Sequence, residues 1–125
     1  MRVILIDPAT KTVVEANRDT RFDALQDAVR GSIEIAHYFD NGDVLYVNGN
    51  GLLELEDALK GETEIERAYL FDLQAHQPFA GRGIIVGEEV DGVHQDAKTT
   101  LEEVRSLISF PAPAELVPPS NTTIQ

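Results

Sequence analysis

The sequence predicts a single α+β domain over residues 1–110: a mainly antiparallel sheet of about six strands with two principal helices on one face, followed by a Pro-rich flexible C-terminal tail at 111–125. Three observations lead there. Short β-branched runs such as Val3-Ile4-Leu5-Ile6 and Ile84-Ile85-Val86 recur between turn residues. Two segments, near 22–29 and 101–108, place their apolar residues at the spacing of one helix face. The length, 125 residues, suits one domain and is short for two.

Arg2 to Asp7 reads as the first strand, ended by Asp7-Pro8 because proline lacks a ladder donor. Thr12 to Ala16 follows after a link short enough to pair the two as an antiparallel hairpin. Thr20 is placed to cap the Asp23 amide, and Phe22, Leu25, Ala28 and Val29 share a helix face that Gly31 stops. Ser32 to Phe39 and Asp43 to Asn48 alternate on either side of Asp40-Asn41-Gly42, a hairpin signal because Asn and Gly accept left-handed backbone. In that pattern Ile33, Ile35, His37 and Phe39 fall on one face, so His37 is expected to be packed and hydrogen-bonded, not a ligand. Leu52, Leu55 and Leu59 fit a helix, Leu53 and Leu55 a strand; Gly61 behind Lys60 favours a short helix. Ala68 to Leu73 reads as a strand and Glu88 to Gly92 as a polar turn. Thr99 with Glu102 has the form of a capping box, opening a helix lined by Leu101, Val104, Leu107 and Ile108 and ended by Pro111.

The chain is organised around Phe79-Ala80-Gly81-Arg82-Gly83-Ile84-Ile85-Val86-Gly87, where a glycine turn feeds a buried apolar strand. Glycines on both sides of Arg82 allow positive φ or a close approach to another surface, leaving the arginine on an exposed turn. Neither a phosphate loop of the form GxxxxGK[ST] nor a GxGxxG fingerprint between strand and helix is present, so no helix N-terminus is aimed at an anion here. The candidate ligand-binding residues are Arg82, Gly81 and Gly83, with His76 as a nearby imidazole and Tyr69 or Tyr38 for stacking.

With 22 acidic against 10 basic side chains the formal net charge is −12, a field that opposes nucleic-acid phosphates and anionic membranes and suits a basic protein partner. A protein mimicking DNA would align its carboxylates at phosphate-like spacing, whereas these are scattered along the chain. The absence of cysteine removes disulfides, thiolate zinc sites and cysteine nucleophiles. No serine elbow, HExxH motif or calcium loop is present, Asn48-Gly49-Asn50-Gly51 lacking the acidic pattern of the last, so neither cofactor nor metal is expected. Acidic pairs such as Glu54 with Glu56, or Glu88 with Glu89, would support acid–base chemistry only if folded into a cleft, and an enzyme is the least favoured class. No stretch has a signal-peptide pattern or the ~18–20 apolar residues of a membrane span, so the expected compartment is the cytoplasm.

Gly-Ser-Ile-Glu-Ile at 31–35, Leu-Tyr-Val-Asn-Gly-Asn-Gly-Leu-Leu at 45–53 and Pro-Phe-Ala-Gly-Arg-Gly-Ile-Ile-Val-Gly at 78–87, in that order, resemble the family catalogued as domain of unknown function 3846, over about residues 1–110. Members of that family are carried largely by phages, plasmids and their bacterial and archaeal hosts. The resemblance implies an accessory role on a mobile element and carries over no catalytic residues. The leading expectation is a non-catalytic interaction protein whose acidic surface meets a basic host protein. The alternative is a binder or sequestering protein for a small nucleotide-like ligand at the Gly81-Arg82-Gly83 turn. Exposed sheet edges would also permit a homodimer.

Overall fold

A computed structural model of the chain describes residues 1–74 and 78–111. The α+β class holds: five strands form one antiparallel sheet in the order β2 (12–17), β1 (2–7), β7 (83–86), β4 (44–48), β3 (33–38). Strands β1 (Arg2–Asp7) and β2 (Thr12–Asn17) form the expected first hairpin, while β3 (Ile33–Tyr38) and β4 (Val44–Asn48) form the second. The late strand β7 (Gly83–Val86) joins them, pairing Ile85 with Ile4 on one side and with Leu45 on the other. Ile84, Ile85 and Val86 are wholly buried. Their uninterrupted apolar run follows from cover on both faces, since a sheet with one wet face would alternate.

That cover corrects the expectation of two helices on one face. Helix α1 (Phe22–Val29) packs Leu25, Ala28 and Val29 against Val3, Val44, Ile84 and Val86. Neighbouring residues on the same strands, Ile4, Leu45 and Ile85, point the other way, into a cluster with Val104 of α3 (Leu101–Leu107) and Phe71. The helices therefore lie on opposite faces. Phe71 belongs to β5 (Leu70–Leu73), which forms a small second sheet with β6 (Phe79–Ala80) and β10 (Ile108–Ser109). Ile108 is thus a strand residue paired with Leu73, not the end of a helix face.

Several local expectations shift. Thr20 does not cap α1: it is buried and its hydroxyl donates to the His94 carbonyl at 2.6 Å, while Arg21 holds the cap position without a side-chain bond. Phe22 stands out in solvent. The left-handed residue ending α1 is Arg30 (φ 63°), and Gly31 is needed instead because a Cβ there would lie 2.7 Å from the Asn48 side chain. In β3 a bulge between Ile35 and His37 breaks the alternation. Ile33 accordingly packs on the α1 side and Ala36 and Phe39 on the other. His37 meets Phe39 edge-on with ring centroids 4.8 Å apart, and its imidazole makes no hydrogen bond among the described residues.

Residues 51–59 form a helix, α2 (Gly51–Leu59), as the glycine stop favoured, but the stripe of leucines does not enter the core; Gly51 and Ala58 are its buried residues. A 3₁₀ turn at Ile65–Ala68 takes the first part of the segment expected as a strand. Glu88 to Gly92 is half of a hairpin of β8 (Glu89–Val90) and β9 (Val93–His94), turned by Asp91 and Gly92, both at positive φ. The capping box falls one residue later than expected: Thr100 accepts from the Glu103 amide and Glu103 accepts from the Thr100 amide. Thr99 is committed elsewhere, its hydroxyl donating to the buried carboxylate of Asp43 at 2.6 Å. Among the described residues no helix is long and apolar enough to cross a membrane.

Candidate functional site

The two glycines beside Arg82 act differently. Gly81 takes φ +87° with open space where a Cβ would point, and its amide donates to the Tyr69 carbonyl at 3.0 Å, tying the turn to the residue before β5. Gly83 is already in β7 and buried; a Cβ there would lie 2.8 Å from Phe71 Cζ and 3.1 Å from Leu45 Cδ1. Left-handed backbone is thus required at one position and close packing at the other.

The turn forms part of the wall of a cavity of about 210 Å³. Around it stand the β1–β2 turn with Asp7, the end of α1 with Arg30, the start of α2 with Gly51 and Glu54, the 3₁₀ turn with Arg67, and Arg82 itself. Three of the chain's ten cationic side chains therefore meet here. Glu64 accepts from Arg30 Nη2 at 2.9 and 3.0 Å and lies 3.5 Å from Arg67 Nε. The Arg30 guanidinium thereby holds the Glu64 carboxyl below its ordinary range, with Arg67 adding to the effect. Arg67 also pairs with Glu54, whose oxygens accept from Asn48 Nδ2 at 3.1 and 3.0 Å. Arg82 is held more loosely: its Nε lies 3.6 Å from Asp7 Oδ2, and it makes no hydrogen bond among the described residues.

Of the residues singled out from sequence, Gly81 and Arg82 line this cavity. Gly83 supports it from the core, and Tyr69 contributes its carbonyl to the turn. Tyr38 is exposed on β3 and lies outside the lining. His76 lies outside the described residues. Sequence reading missed Asp7, Arg30 and Arg67, and picked out Glu54 only as one of an acidic pair; these four lie 13 to 24 residues apart along the chain, and no local motif links them. Nor do the acidic pairs form a cleft: Glu54 is tied to Arg67 while Glu56 is exposed, and Glu88 accepts from Lys98 Nζ at 3.0 Å. Among the described residues no group of three or more His, Cys, Asp or Glu is arranged to hold a metal ion.

The other side of α2 is a surface of a different kind. Leu52 is 59 %, Leu53 63 % and Leu59 46 % exposed, and Ile65 in the following turn is 50 % exposed. Glu56, Asp57 and Glu62 lie exposed among them, and none pairs with a cation among the described residues. The helix tolerates this because its inner contact is made by small residues: a Cβ on Gly51 would come within 2.8 Å of the Ala80 carbonyl.

A family model described as a domain of unknown function, DUF3846, matches residues 1–107. The chain belongs to that family. The matched span of this DUF3846 chain includes the five-stranded sheet, the cavity and α2. No curated protein and no solved structure matches it.

Proposed function

We propose that this DUF3846 protein is a non-catalytic accessory protein of the phage or plasmid type, whose acidic surface binds a basic partner protein of the host through α2. The observation that carries this reading is the pairing of exposed aliphatics with unpaired acids on α2 and the segment that follows it: Leu52, Leu53, Leu59 and Ile65 beside Glu56, Asp57 and Glu62. Large exposed apolar side chains gathered on one short stretch mark interaction sites more often than single ones do. Carboxylates around an apolar centre favour a partner segment carrying Lys or Arg beside its own apolar residues, and steer its approach. The formal charge of −12 supports the same choice of partner and disfavours nucleic acid or an anionic membrane.

The test is capture from a host lysate at low and at high salt, with the wild-type protein and with a Leu52→Ser/Leu59→Ser variant. Both leucines are exposed, so the variant keeps the fold and every charge. A basic protein captured by the wild type, released by salt and lost from the variant supports the reading. Capture indifferent to salt, or equal for both proteins, refutes it.

A further inference from the structure

The arginine-lined cavity is not needed for a partner held on the outside of α2, and its chemistry is different. Formal charges in its wall balance, Arg30, Arg67 and Arg82 facing Asp7, Glu54 and Glu66, in a protein that otherwise carries a large acidic surplus. Arg30 and Arg67 are fixed by the carboxylates of Glu64 and Glu54, so their geometry is set before any ligand arrives. Arg82 is the exception. It stands on a left-handed glycine turn, its side chain 44 % exposed, with only the 3.6 Å approach of Asp7 and no hydrogen bond among the described residues. A guanidinium has five donors in a planar fork suited to a carboxylate or phosphate, and here that fork is available to an incoming group.

We infer that the cavity binds a small amphoteric metabolite: an anionic group on Arg82, with amino or hydroxyl donors directed to the carboxylates of Asp7 and Glu54. A plain dianion would leave those carboxylates facing like charge, and a plain cation would do the same to the three arginines; a molecule carrying both satisfies both. Size restricts it further. About 210 Å³ is below the roughly 300–1,000 Å³ of pockets for drug-sized ligands, so the fit is to a molecule of amino-acid or aminoalkyl-phosphate size. One more feature favours the anionic end here. Gly51, the first residue of α2, lies in the wall, and that helix start has no side-chain cap.

The anionic group could be a phosphate or a carboxylate, and the experiment separates them. Backbone amide spectra of the full chain are titrated with phosphoethanolamine, β-alanine and inorganic phosphate. The first two share an ammonium on a two-carbon arm and differ in the anion. Saturable shifts at Gly81, Arg82 and Gly51 are expected with at least one amphoteric probe, at a Kd about 10-fold below that of inorganic phosphate. Whichever of the two binds tighter identifies the anion. Arg82→Ala, a change at a half-exposed side chain, should weaken binding by about 10-fold while leaving the rest of the spectrum in place. Inorganic phosphate binding as tightly as both amphoteric probes overturns the inference, as does binding that survives Arg82→Ala. So does the absence of shifts at these amides up to about 20 mM of every probe, a concentration that would reveal even millimolar affinity.

Discussion

Replacing Asp43 with alanine is the sharpest test of how this fold closes. Asp43 sits immediately before β4 with no exposed surface, and its carboxylate accepts from the Lys98 amide at 3.0 and 2.9 Å, the Thr99 amide at 2.7 Å and the Thr99 hydroxyl at 2.6 Å. These bonds join the β3–β4 turn to the segment that leads into α3, across 55 and 56 residues of sequence. Asn41 strengthens the junction, accepting from the Asp43 amide at 2.9 Å and donating to the Thr99 hydroxyl at 3.0 Å. A hydrogen bond to a charged acceptor contributes about 1.5–3 kcal/mol, and a buried amide left without an acceptor costs about 1–3 kcal/mol. Truncation removes three donors' partner at once, though the terms are not additive and water will reach some of the freed groups. A net loss of about 3–5 kcal/mol is expected, from a total stability of the order of 5–15 kcal/mol. Urea unfolding should show it as a lower midpoint with an unchanged slope, and thermal unfolding as a fall of roughly 10–20 °C. Asp43→Asn keeps the shape but turns an NH2 group towards donors, so its loss should be intermediate. A loss under about 1 kcal/mol for Asp43→Ala would mean that the junction is held by something other than this carboxylate.

Two glycine substitutions separate the two roles in the Arg82 turn. Gly83→Ala forces a methyl against Phe71 and Leu45 and should cost about 1–3 kcal/mol by overpacking, measured by equilibrium unfolding. Gly81→Ala meets open space, so its cost of about 1–2 kcal/mol comes from the left-handed backbone alone and should leave the core methyl resonances of Phe71's neighbours unmoved. A pH titration checks the Asp19–Arg21 pair. Hydrogen bonds from the Arg21 side chain first, and then its backbone amide, lower the Asp19 carboxyl from 3.8 to about 2. A carboxyl depressed in the folded state stabilises fully above its unfolded value, so this contribution is present above 3.8 and is lost as pH falls towards 2. Arg21→Gln should raise the midpoint part of the way to 3.8 in a carboxyl NMR titration, the backbone amide of residue 21 still donating, and a midpoint that stays near 2 would remove the Arg21 side chain as the main cause.

What could be read from sequence follows from which forces are local. The run Ile84-Ile85-Val86 identifies a buried strand because β-branched side chains and flanking glycines act within a few residues, and β7 is found at the centre of the sheet. The capping box was one residue off because Thr99 and Thr100 present the same hydroxyl. Only the distant carboxylate of Asp43 draws Thr99 away and leaves the cap to Thr100. The same limit explains Thr20, whose partner is a carbonyl 74 residues away. In α2 the period of Leu52, Leu55 and Leu59 was legible, yet periodicity states which residues share a face and not what covers it. The buried contact went to Gly51 and Ala58, whose small side chains add little to any hydrophobic pattern. At the cavity, Arg82 was legible from its glycines. Arg30 and Arg67 were not, and Glu54 was picked out only as half of an acidic pair, because ion pairs across folded elements leave no spacing rule in the chain.

The two surfaces of α2 divide the protein's charge in a way that makes them separable in solution. On the outer side Glu56, Asp57 and Glu62 are exposed and lack partners among the described residues, so attraction for a basic segment acts through water and is screened over about 8–10 Å at ordinary ionic strength. On the inner side Glu54 is three-quarters covered and tied to Arg67 and Asn48, within a wall whose charges cancel. Salt has little net charge to screen there, and partly buried pairs are screened less than exposed ones. Raising ionic strength should therefore weaken capture of a basic partner on α2 while changing ligand affinity in the cavity much less. If both fell together with salt, the acidic surplus would be acting as one undivided field, and the assignment of separate roles to the two sides of the helix would fail.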